Sequence, residues 1–366
     1  MIAESPIQKE RLFALFRDLV DIYSPSNKEE EIADYLYSYL LEKGLPVRKQ
    51  MLEEGRYNLL VSAGNTAPTL FLGHIDTVPA YDIEQIDFAE KDGICHGLGT
   101  ADMKSGCAAM IEAFLTRLEA GKQPEDVMLA LVVGEEESGD GTQALLASHR
   151  FEQAVVAEPT GLRPCLHHYG YVEMAVRTFG SRRHAAMSNS ETNATRALLR
   201  LLLHLETWIE QEEPTTVLNI RDLHSAESGF AVPDRCAASL DLHIPPEYRA
   251  APFADRIRQA VEQWLDMSRA SRYEVEFPTL ADGYKLDEAS SFVEKLRLAF
   301  AAAKHPWMPG PFTSHSDANL LNDAGCRAVI LGPGELSKAH TRDESVEFEQ
   351  VVGAAEIYRH LLSSGF

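Results

Sequence analysis

The stretch Leu70–Asp76 reads LFLGHID, an apolar run that ends in a histidine and an aspartate. Three more short apolar runs end in polar or glycine-rich clusters in the same way. They are Val127–Val133 before Glu135–Glu137, Ala154–Ala157 before Glu158–Thr160, and Ala328–Leu331 before Gly332–Gly334. Short apolar runs bounded by turn signals are typical of the buried strands of a parallel sheet. These four segments therefore decide the predicted fold.

Helical patterns lie before and between these strands. Residues Met103 to Leu118 place an apolar stripe on one helical face, and a second helix is predicted from Asn27, its capping residue, to Gly44. Strands that alternate with helices indicate an α/β domain with a mixed, mostly parallel sheet flanked by helices. Because ligands of such sheets bind beyond the carboxyl ends of the strands, we expect the polar clusters to form one shared site.

The middle of the chain has a different pattern. Its predicted elements follow the order β-α-β-β-α-β, the split ferredoxin-like arrangement. They span residues 171–179, 192–209, 215–220, 237–244, 252–267 and 273–277. We therefore expect residues 170–282 to form an inserted domain, and residues 1–169 and 283–366 to form the two parts of a catalytic domain.

Composition and charge exclude several classes of function. The chain has 366 residues, is 45% hydrophobic and 25% charged, and carries a formal net charge of −22. Because an acidic protein repels a polyanion, we expect no nucleic-acid partner. No apolar run is long enough to span a membrane, and the charges in residues 1–20 do not fit a signal peptide. Five scattered cysteines argue against a disulfide framework, so we expect a cytoplasmic protein.

Acidic and imidazole side chains gather at the predicted strand ends. Taken singly, each has an ordinary explanation: Asp102 caps the following helix, the glutamates after Gly134 are solvated, and His74 is a hydrogen-bonded histidine. Buried together, so many carboxylates would repel one another unless divalent cations were bound between them. Imidazole with carboxylate suits zinc, with cobalt or manganese as alternatives. The residues concerned are His74, Asp76, Asp102, Glu135, Glu136, Glu158 and His340.

Five stretches carry a resemblance to a known family. In chain order they are GHIDTVP (73–79), GLGTADMKSG (97–106), GEEESG (134–139), AEPT (157–160), and GPG (332–334) with AHTRDE (339–344). They resemble the di-zinc metallopeptidase family that includes acetylornithine deacetylase, succinyl-diaminopimelate desuccinylase, aminoacylase and glutamate carboxypeptidase. The resemblance covers nearly the whole chain and implies a zinc-peptidase-like fold with an inserted lid and dimerisation domain.

The resemblance also implies roles for the clustered residues. Asp102 would bridge two metal ions, with His74 and Glu158 completing one site and Glu136 and His340 the other. Glu135 would be the general base, acting on a water between the metals. Asp76 would hydrogen-bond the imidazole of His74. Three consecutive glutamates allow a shift of one residue, but the spacing to Ser138–Gly141 favours Glu135 and Glu136, with Glu137 solvated.

A histidine of the inserted domain is implied as well. The stretch GSRRHAA (180–186) resembles the family motif whose histidine stabilises the oxyanion from the partner subunit. This makes His184 the candidate and implies a homodimer. The residues alone would favour a surface histidine.

Departures from the family pattern concern the substrate. Phe230 stands where the family often has asparagine, and His243 stands where an arginine usually binds a substrate carboxylate. His315 stands where small residues are common. We therefore expect substrate contacts from Arg182, Arg183, His243 and His315, although His243 could equally be a polar residue on the exposed face of its strand.

The predicted function is hydrolysis of the amide bond of an N-acyl amino acid. In the family, deacylases and carboxypeptidases tend to have glutamate at the position of Glu158, whereas aminopeptidases tend to have aspartate. The alternative enzyme is a carboxypeptidase or dipeptidase that acts on short peptides with the same two metals. A non-catalytic scaffold is disfavoured, because the base and every expected ligand are present.

Overall fold

The computed structural model describes residues 6–64, 68–81, 86–123, 126–189, 192–268 and 272–363. The chain divides into two compact units. The first comprises Met1–Leu166, Leu286–Phe312 and Ser316–Phe366, and the second comprises His167–Lys285 and Thr313–His315.

Helices and strands follow one another in both units. The strands are β1 (Val47–Glu53), β2 (Arg56–Val61), β3 (Thr69–His74), β4 (Ala89–Lys91), β5 (Ile94–His96), β6 (Val127–Val132), β7 (Gln153–Val156), β8 (Cys165–His168), β9 (Gly170–Phe179), β10 (Val217–Ser225), β11 (Arg235–Ile244), β12 (Arg272–Glu276), β13 (Leu280–Ala281), β14 (Tyr284–Lys285), β15 (Gly310–Phe312), β16 (Arg327–Ile330) and β17 (Ser345–Glu347). The α-helices are α1 (Lys9–Asp21), α2 (Glu30–Glu42), α3 (Lys104–Glu119), α4 (Asp140–Ser148), α5 (Ala194–Glu212), α6 (Ala250–Ser268), α7 (Ser291–Ala302), α8 (Asp317–Asp323) and α9 (Phe348–Ser363).

The first unit is built on a mixed sheet in the order β1-β2-β6-β3-β7-β16-β8. Its centre, β6-β3-β7-β16, is parallel, whereas β1 and β2 are antiparallel additions at one edge. Every residue of β2, β3, β6 and β7 is buried, as expected for strands covered on both faces. The predicted α/β fold class is confirmed.

The register of this sheet brings the polar strand ends to one edge. His74, the last residue of β3, pairs with Val132 at the end of β6, and Leu72 pairs with Val156 at the end of β7. Glu135 lies in the loop that follows β6, and Glu158 lies in the loop that follows β7. The shared edge expected from the four apolar runs therefore exists in the structure.

The second unit contains an antiparallel sheet in the order β10-β11-β9-β12, with β13 also pairing with β9. The element order β9-α5-β10-β11-α6-β12 is the predicted β-α-β-β-α-β order. Alternate residues of β9 and β11, such as Val172, Met174 and Leu240, pack with α5 and α6 in one core. The opposite side chains, including Tyr171 and His243, lie on the other face of the sheet.

Some predicted boundaries were wrong. Helix α2 begins at Glu30, because Asn27 adopts a left-handed φ of 70° and cannot serve as its cap. Strand β10 starts and ends later than predicted, and its mostly exposed residues explain why its apolar pattern was weak. Helix α1 was not predicted.

The five cysteines are buried free thiols. None of the helices in the described part of the chain has the length and apolar character that a membrane crossing requires.

Candidate metal centre

Asp102 lies between two histidines of the first unit. Its Oδ1 is 3.1 Å from Nε2 of His74, and its Oδ2 is 3.5 Å from Nε2 of His340. Each oxygen of the carboxylate therefore faces a different imidazole. This arrangement suits a carboxylate that bridges two cations.

Three glutamates complete the cluster. Oε1 of Glu158 and Oε2 of Glu135 lie 3.8 Å and 3.9 Å from Nε2 of His74, and Glu136 accepts a hydrogen bond of 3.0 Å from Nε2 of His340. Two sets of donor atoms each fit within 4.8 Å: His74, Asp102 and Glu136, and His74, Glu135 and Glu158. The structure thus brings together all six residues that the sequence proposed as ligands or base.

Asp76 holds this cluster through the backbone. Its carboxylate accepts hydrogen bonds from the backbone N–H groups of Glu135 (3.2 Å) and Glu136 (3.1 Å), and from the hydroxyl of Ser26 (2.7 Å). Nδ1 of His74 lies 3.1 Å from the carbonyl oxygen of Asp76 and 3.5 Å from its carboxylate. Asp76 therefore orients the glutamate turn as well as the imidazole.

Glu344 is a residue whose role the sequence did not reveal. Its buried carboxylate accepts hydrogen bonds from the backbone N–H groups of Gly99 (3.0 Å), Ala101 (2.8 Å) and Asp102 (3.0 Å). Since it lies four residues after His340, it connects the loop of Asp102 to the loop of His340. Its presence inside the AHTRDE stretch was the available signal.

Asp317 is a second residue that the sequence did not single out. It is buried at the start of α8 and accepts a hydrogen bond of 2.6 Å from the hydroxyl of Thr142. Burial raises its pKa to about 7, and its charge helps to raise the pKa of Glu135. No motif spacing linked it to the cluster.

The cluster carries more negative charge than its histidines can neutralise. Burial raises the pKa of Glu135, Glu136 and Glu158, and neighbouring carboxylates such as Asp102 raise it further. Oε1 of Glu158 is buried and has no hydrogen-bond partner among the described residues. Bound cations would relieve both the repulsion and this unsatisfied oxygen. The residues present therefore fit a pair of divalent ions.

Burial acts on the two histidines in the opposite direction, but the pKa values of both histidines are raised as well. Burial by itself lowers the pKa of His74, but hydrogen bonds with Asp102 and Asp76 outweigh it and raise that pKa well above its ordinary value. For His340, burial is likewise outweighed by Glu136 and Asp102, and the pKa rises to about 10. Oxygen and imidazole nitrogen donors without thiolate are the set that zinc, cobalt and manganese accept.

The predicted oxyanion and substrate residues fall in two groups within the second unit. The first group lies on an exposed loop beside residues 228–232 and consists of Arg182, Arg183 and His184. The Arg182 side chain donates a hydrogen bond to the backbone carbonyl of Ser228, and the backbone of His184 pairs with Ala231 in an isolated β-bridge. Phe230 of the neighbouring loop is 95% exposed. These side chains project into solvent and are available to a ligand.

His243 and His315 form the second group together with Tyr171, which the sequence analysis missed. The Tyr171 and His315 rings stack with centroids 4.2 Å apart and planes 17° apart, and His243 lies 5.5 Å from Tyr171 and 5.9 Å from His315. Because His243 pairs with Tyr171 across β11 and β9, the strand register brings them together. We call these three residues the aromatic cluster.

Comparisons with known proteins identify the family of this chain. Residues 70–364 match peptidase family M20/M25/M40, and the chain belongs to that family. It is 26% identical to an acetylornithine deacetylase of Edwardsiella ictaluri over 97% of this chain and 98% of that protein. It is 28% identical to a succinyl-diaminopimelate desuccinylase of Corynebacterium glutamicum over 95% of each.

A solved structure shows the same fold. A tripeptidase of Staphylococcus aureus superposes with a TM-score of 0.79, at 21% identity, over 98% of this chain and 99% of that one. With the family match, the protein is a hydrolase of amide bonds.

Proposed function

We propose that this protein hydrolyses the amide bond of an N-acyl amino acid, consuming water and releasing a carboxylate and a free amine. The observation that carries the proposal is Asp102 placed between His74 and His340, with Glu135 and Glu158 beside it. The deacetylase and desuccinylase relatives support an acylated amino acid as the substrate class.

The proposed ligand sets share Asp102. His74, Asp102 and Glu158 would hold one ion, and Asp102, Glu136 and His340 would hold the other, with zinc as the expected metal. When bound, the ions would supply Lewis acidity that lowers the pKa of a water and polarises the substrate carbonyl. The hydrogen bonds from Glu344 and Asp76 to the backbone keep the ligand-bearing loops in place.

Glu135 is the proposed general base. Its carboxyl group lies inside the cluster, beside the residues that would hold the two ions, so it can reach a water bound there. It takes the proton of the attacking water and returns it to the nitrogen of the leaving amine. His184 is the proposed donor to the oxyanion that forms when the water attacks.

The second unit is the proposed lid and dimerisation domain. Strand β10 forms the edge of its sheet in the described residues, and apolar side chains are exposed on β10 (Ile220, Leu223) and on α5 (Leu199, Leu203). An exposed edge with apolar side chains supports a homodimer as the working form. The five free thiols support a cytoplasmic location.

Substrate selection is assigned to Arg182, Arg183, His243 and His315. Burial lowers the pKa of His243, so its imidazole is neutral near pH 7 and cannot copy a guanidinium clamp. We expect His243→Ala and His315→Ala to raise KM with little change in kcat. Unchanged KM in both variants would remove these histidines from the substrate site.

The function is tested with a panel of substrates. N-acetyl and N-succinyl amino acids are compared with dipeptides, using protein loaded with zinc, cobalt or manganese, for the wild type and for Glu135→Gln. We expect the highest kcat/KM for an acylated amino acid and metal retention with little turnover in the variant. Preferential cleavage of dipeptides would establish the peptidase alternative, and no metal-dependent turnover of any substrate would contradict the proposal.

A further inference from the structure

A cavity of about 290 Å³ lies in the first unit, and none of the described residues that line it belongs to the metal centre. Its walls come from three parts of the chain: the loop after Glu158, the segment after α7, and the start of α9 with β17. The residues that matter here are Leu162, Arg163, His305, Met308, Glu347 and Gln350. None of these is a proposed metal ligand, base or substrate contact.

The cavity wall depends on two unusual backbone features. Leu162 is buried with a left-handed φ of 59°, which non-glycine residues rarely adopt. A Cβ at Gly353, within α9, would lie 2.8 Å from the His305 ring and 2.9 Å from the Leu162 side chain. A glycine inside a helix costs about 1 kcal/mol relative to alanine. Here it allows His305 and Leu162 to pack directly against the helix.

Among the described residues, one cation and one anion of the cavity wall have no ion-pair partner. Neither Arg163 nor Glu347 makes a salt bridge to another of the described residues, and both are exposed. Glu349 differs, because it pairs with Lys9 at 2.9 Å. An arginine and a glutamate therefore line the same small space, together with Leu162 and Met308.

We infer that this cavity binds a free α-amino acid with an apolar side chain. The carboxylate of the ligand would pair with Arg163 and its ammonium group with Glu347, while the side chain would pack against Leu162 and Met308. An anion alone would face Glu347 without compensation, and a cation alone would face Arg163. The volume is close to the lower end of ligand cavities, about 300 Å³, which suits a single amino acid.

This inference is independent of the proposed hydrolytic function, because it requires no residue of the metal centre. An amino acid bound as a product at the metal centre would be insensitive to Arg163 and Glu347. Variants of those two residues therefore distinguish the two locations, whatever substrate the enzyme cleaves.

The test is calorimetric titration of the metal-loaded protein with L-leucine. L-Leucinamide lacks the carboxylate and 4-methylpentanoate lacks the amine, so we expect each to bind at least 10-fold more weakly than L-leucine. Arg163→Gln and Glu347→Gln should each weaken L-leucine binding at least 10-fold. Arg200→Gln, which changes an exposed arginine of α5, is the matched control and should bind as the wild type does.

The two variants lie on different segments, so a folding defect in one leaves the other informative; melting temperatures identify folded protein. Wild-type affinity in folded Arg163→Gln and Glu347→Gln would overturn the inference. So would equal binding of L-leucine and both analogues, or no binding of L-leucine at millimolar concentration.

Discussion

The metal centre and the aromatic cluster both place a histidine close to a buried aspartate, yet the pKa of His243 shifts in the opposite direction from the pKa values of His74 and His340. The pKa values of His74 and His340 are raised, whereas burial lowers the pKa of His243. At the metal centre, two histidines are shared among five carboxylates. In the second unit, Asp241 already accepts hydrogen bonds from Arg221 (2.9 Å), Asn219 (3.1 Å) and Tyr171 (2.7 Å). An excess of carboxylates over cationic partners, rather than the presence of histidine, therefore distinguishes the candidate metal centre from the aromatic cluster.

Replacing Glu135 should have the largest effect in this comparison. Glu135→Gln keeps the size of the side chain but removes the proton acceptor, so we expect kcat to fall by about 10²–10⁴-fold. Metal content, measured by atomic emission, should stay at the wild-type value. Steady-state kinetics on the best substrate of the panel gives the measurement.

Glu137 provides the matched control for that variant. It is exposed and accepts a hydrogen bond from Asn27, so Glu137→Gln should keep nearly full activity. If Glu137→Gln lost activity and Glu135→Gln did not, the assignment within the three consecutive glutamates would have to shift.

Glu344 tests whether the charged cluster depends on its backbone supports. Glu344→Gln retains an oxygen acceptor but loses the second one, so the hydrogen bonds to Gly99, Ala101 and Asp102 cannot all persist. Residues that orient a metal ligand in this way change metal affinity by about 10–100-fold. We expect a loss in that range, measured by competition with a chelator, and recovery of activity at high metal concentration.

Glu347→Gln serves as the control, because Glu347 is an exposed glutamate three residues further along the chain. It should leave metal affinity unchanged. Wild-type metal affinity in Glu344→Gln would mean that the Asp102 loop is held without this carboxylate.

The difference between the two regions also explains what the sequence could predict. His74, Glu135 and Glu158 follow apolar strands, so local patterning and spacing place them at one edge. Glu344 and Asp317 act on the site through contacts between distant segments. The AHTRDE stretch draws attention to Glu344 but does not identify the backbone that it binds, and no motif marks Asp317. Tyr171 lies next to His243 because the two residues are paired across neighbouring strands, and it stacks on the ring of His315. Neither contact can be predicted from the periodicity of the sequence.

The same reasoning applies to element boundaries. The buried strands β3, β6 and β7 were predicted closely, because burial on both faces produces continuous apolar runs. The edge strand β10 was predicted poorly, because its residues are mostly exposed and their identities are only weakly constrained.

His168, which lies in the same unit as the aromatic cluster, allows a test of how stability depends on pH. It is fully buried, and burial lowers its pKa to about 3, with His315 and His243 adding to the effect. The unfolded value is about 6.5, so between these pH values the unfolded state binds more protons and stability falls as the pH falls. The slope from this one residue is at most about 1.4 kcal/mol per pH unit.

Urea unfolding of the wild type and of His168→Asn between pH 7 and pH 4 measures this contribution. The wild type should lose stability more steeply than the variant, and His224→Asn, at an exposed position of β10, should keep the wild-type slope. If the free energy of unfolding depended on pH in the same way for the wild type and for His168→Asn, the pKa of His168 would not be lowered by burial.

The smallest expected effect concerns Tyr171. Tyr171→Phe keeps the ring that stacks on His315 but removes the hydroxyl that donates to Asp241. Since Asp241 retains Arg221 and Asn219 as donors, the free energy of unfolding should fall by only about 1 kcal/mol, as measured with urea. A loss of several kcal/mol would mean that Asp241 is left as an unpaired buried charge, and the aromatic cluster would then resemble the metal centre rather than contrast with it.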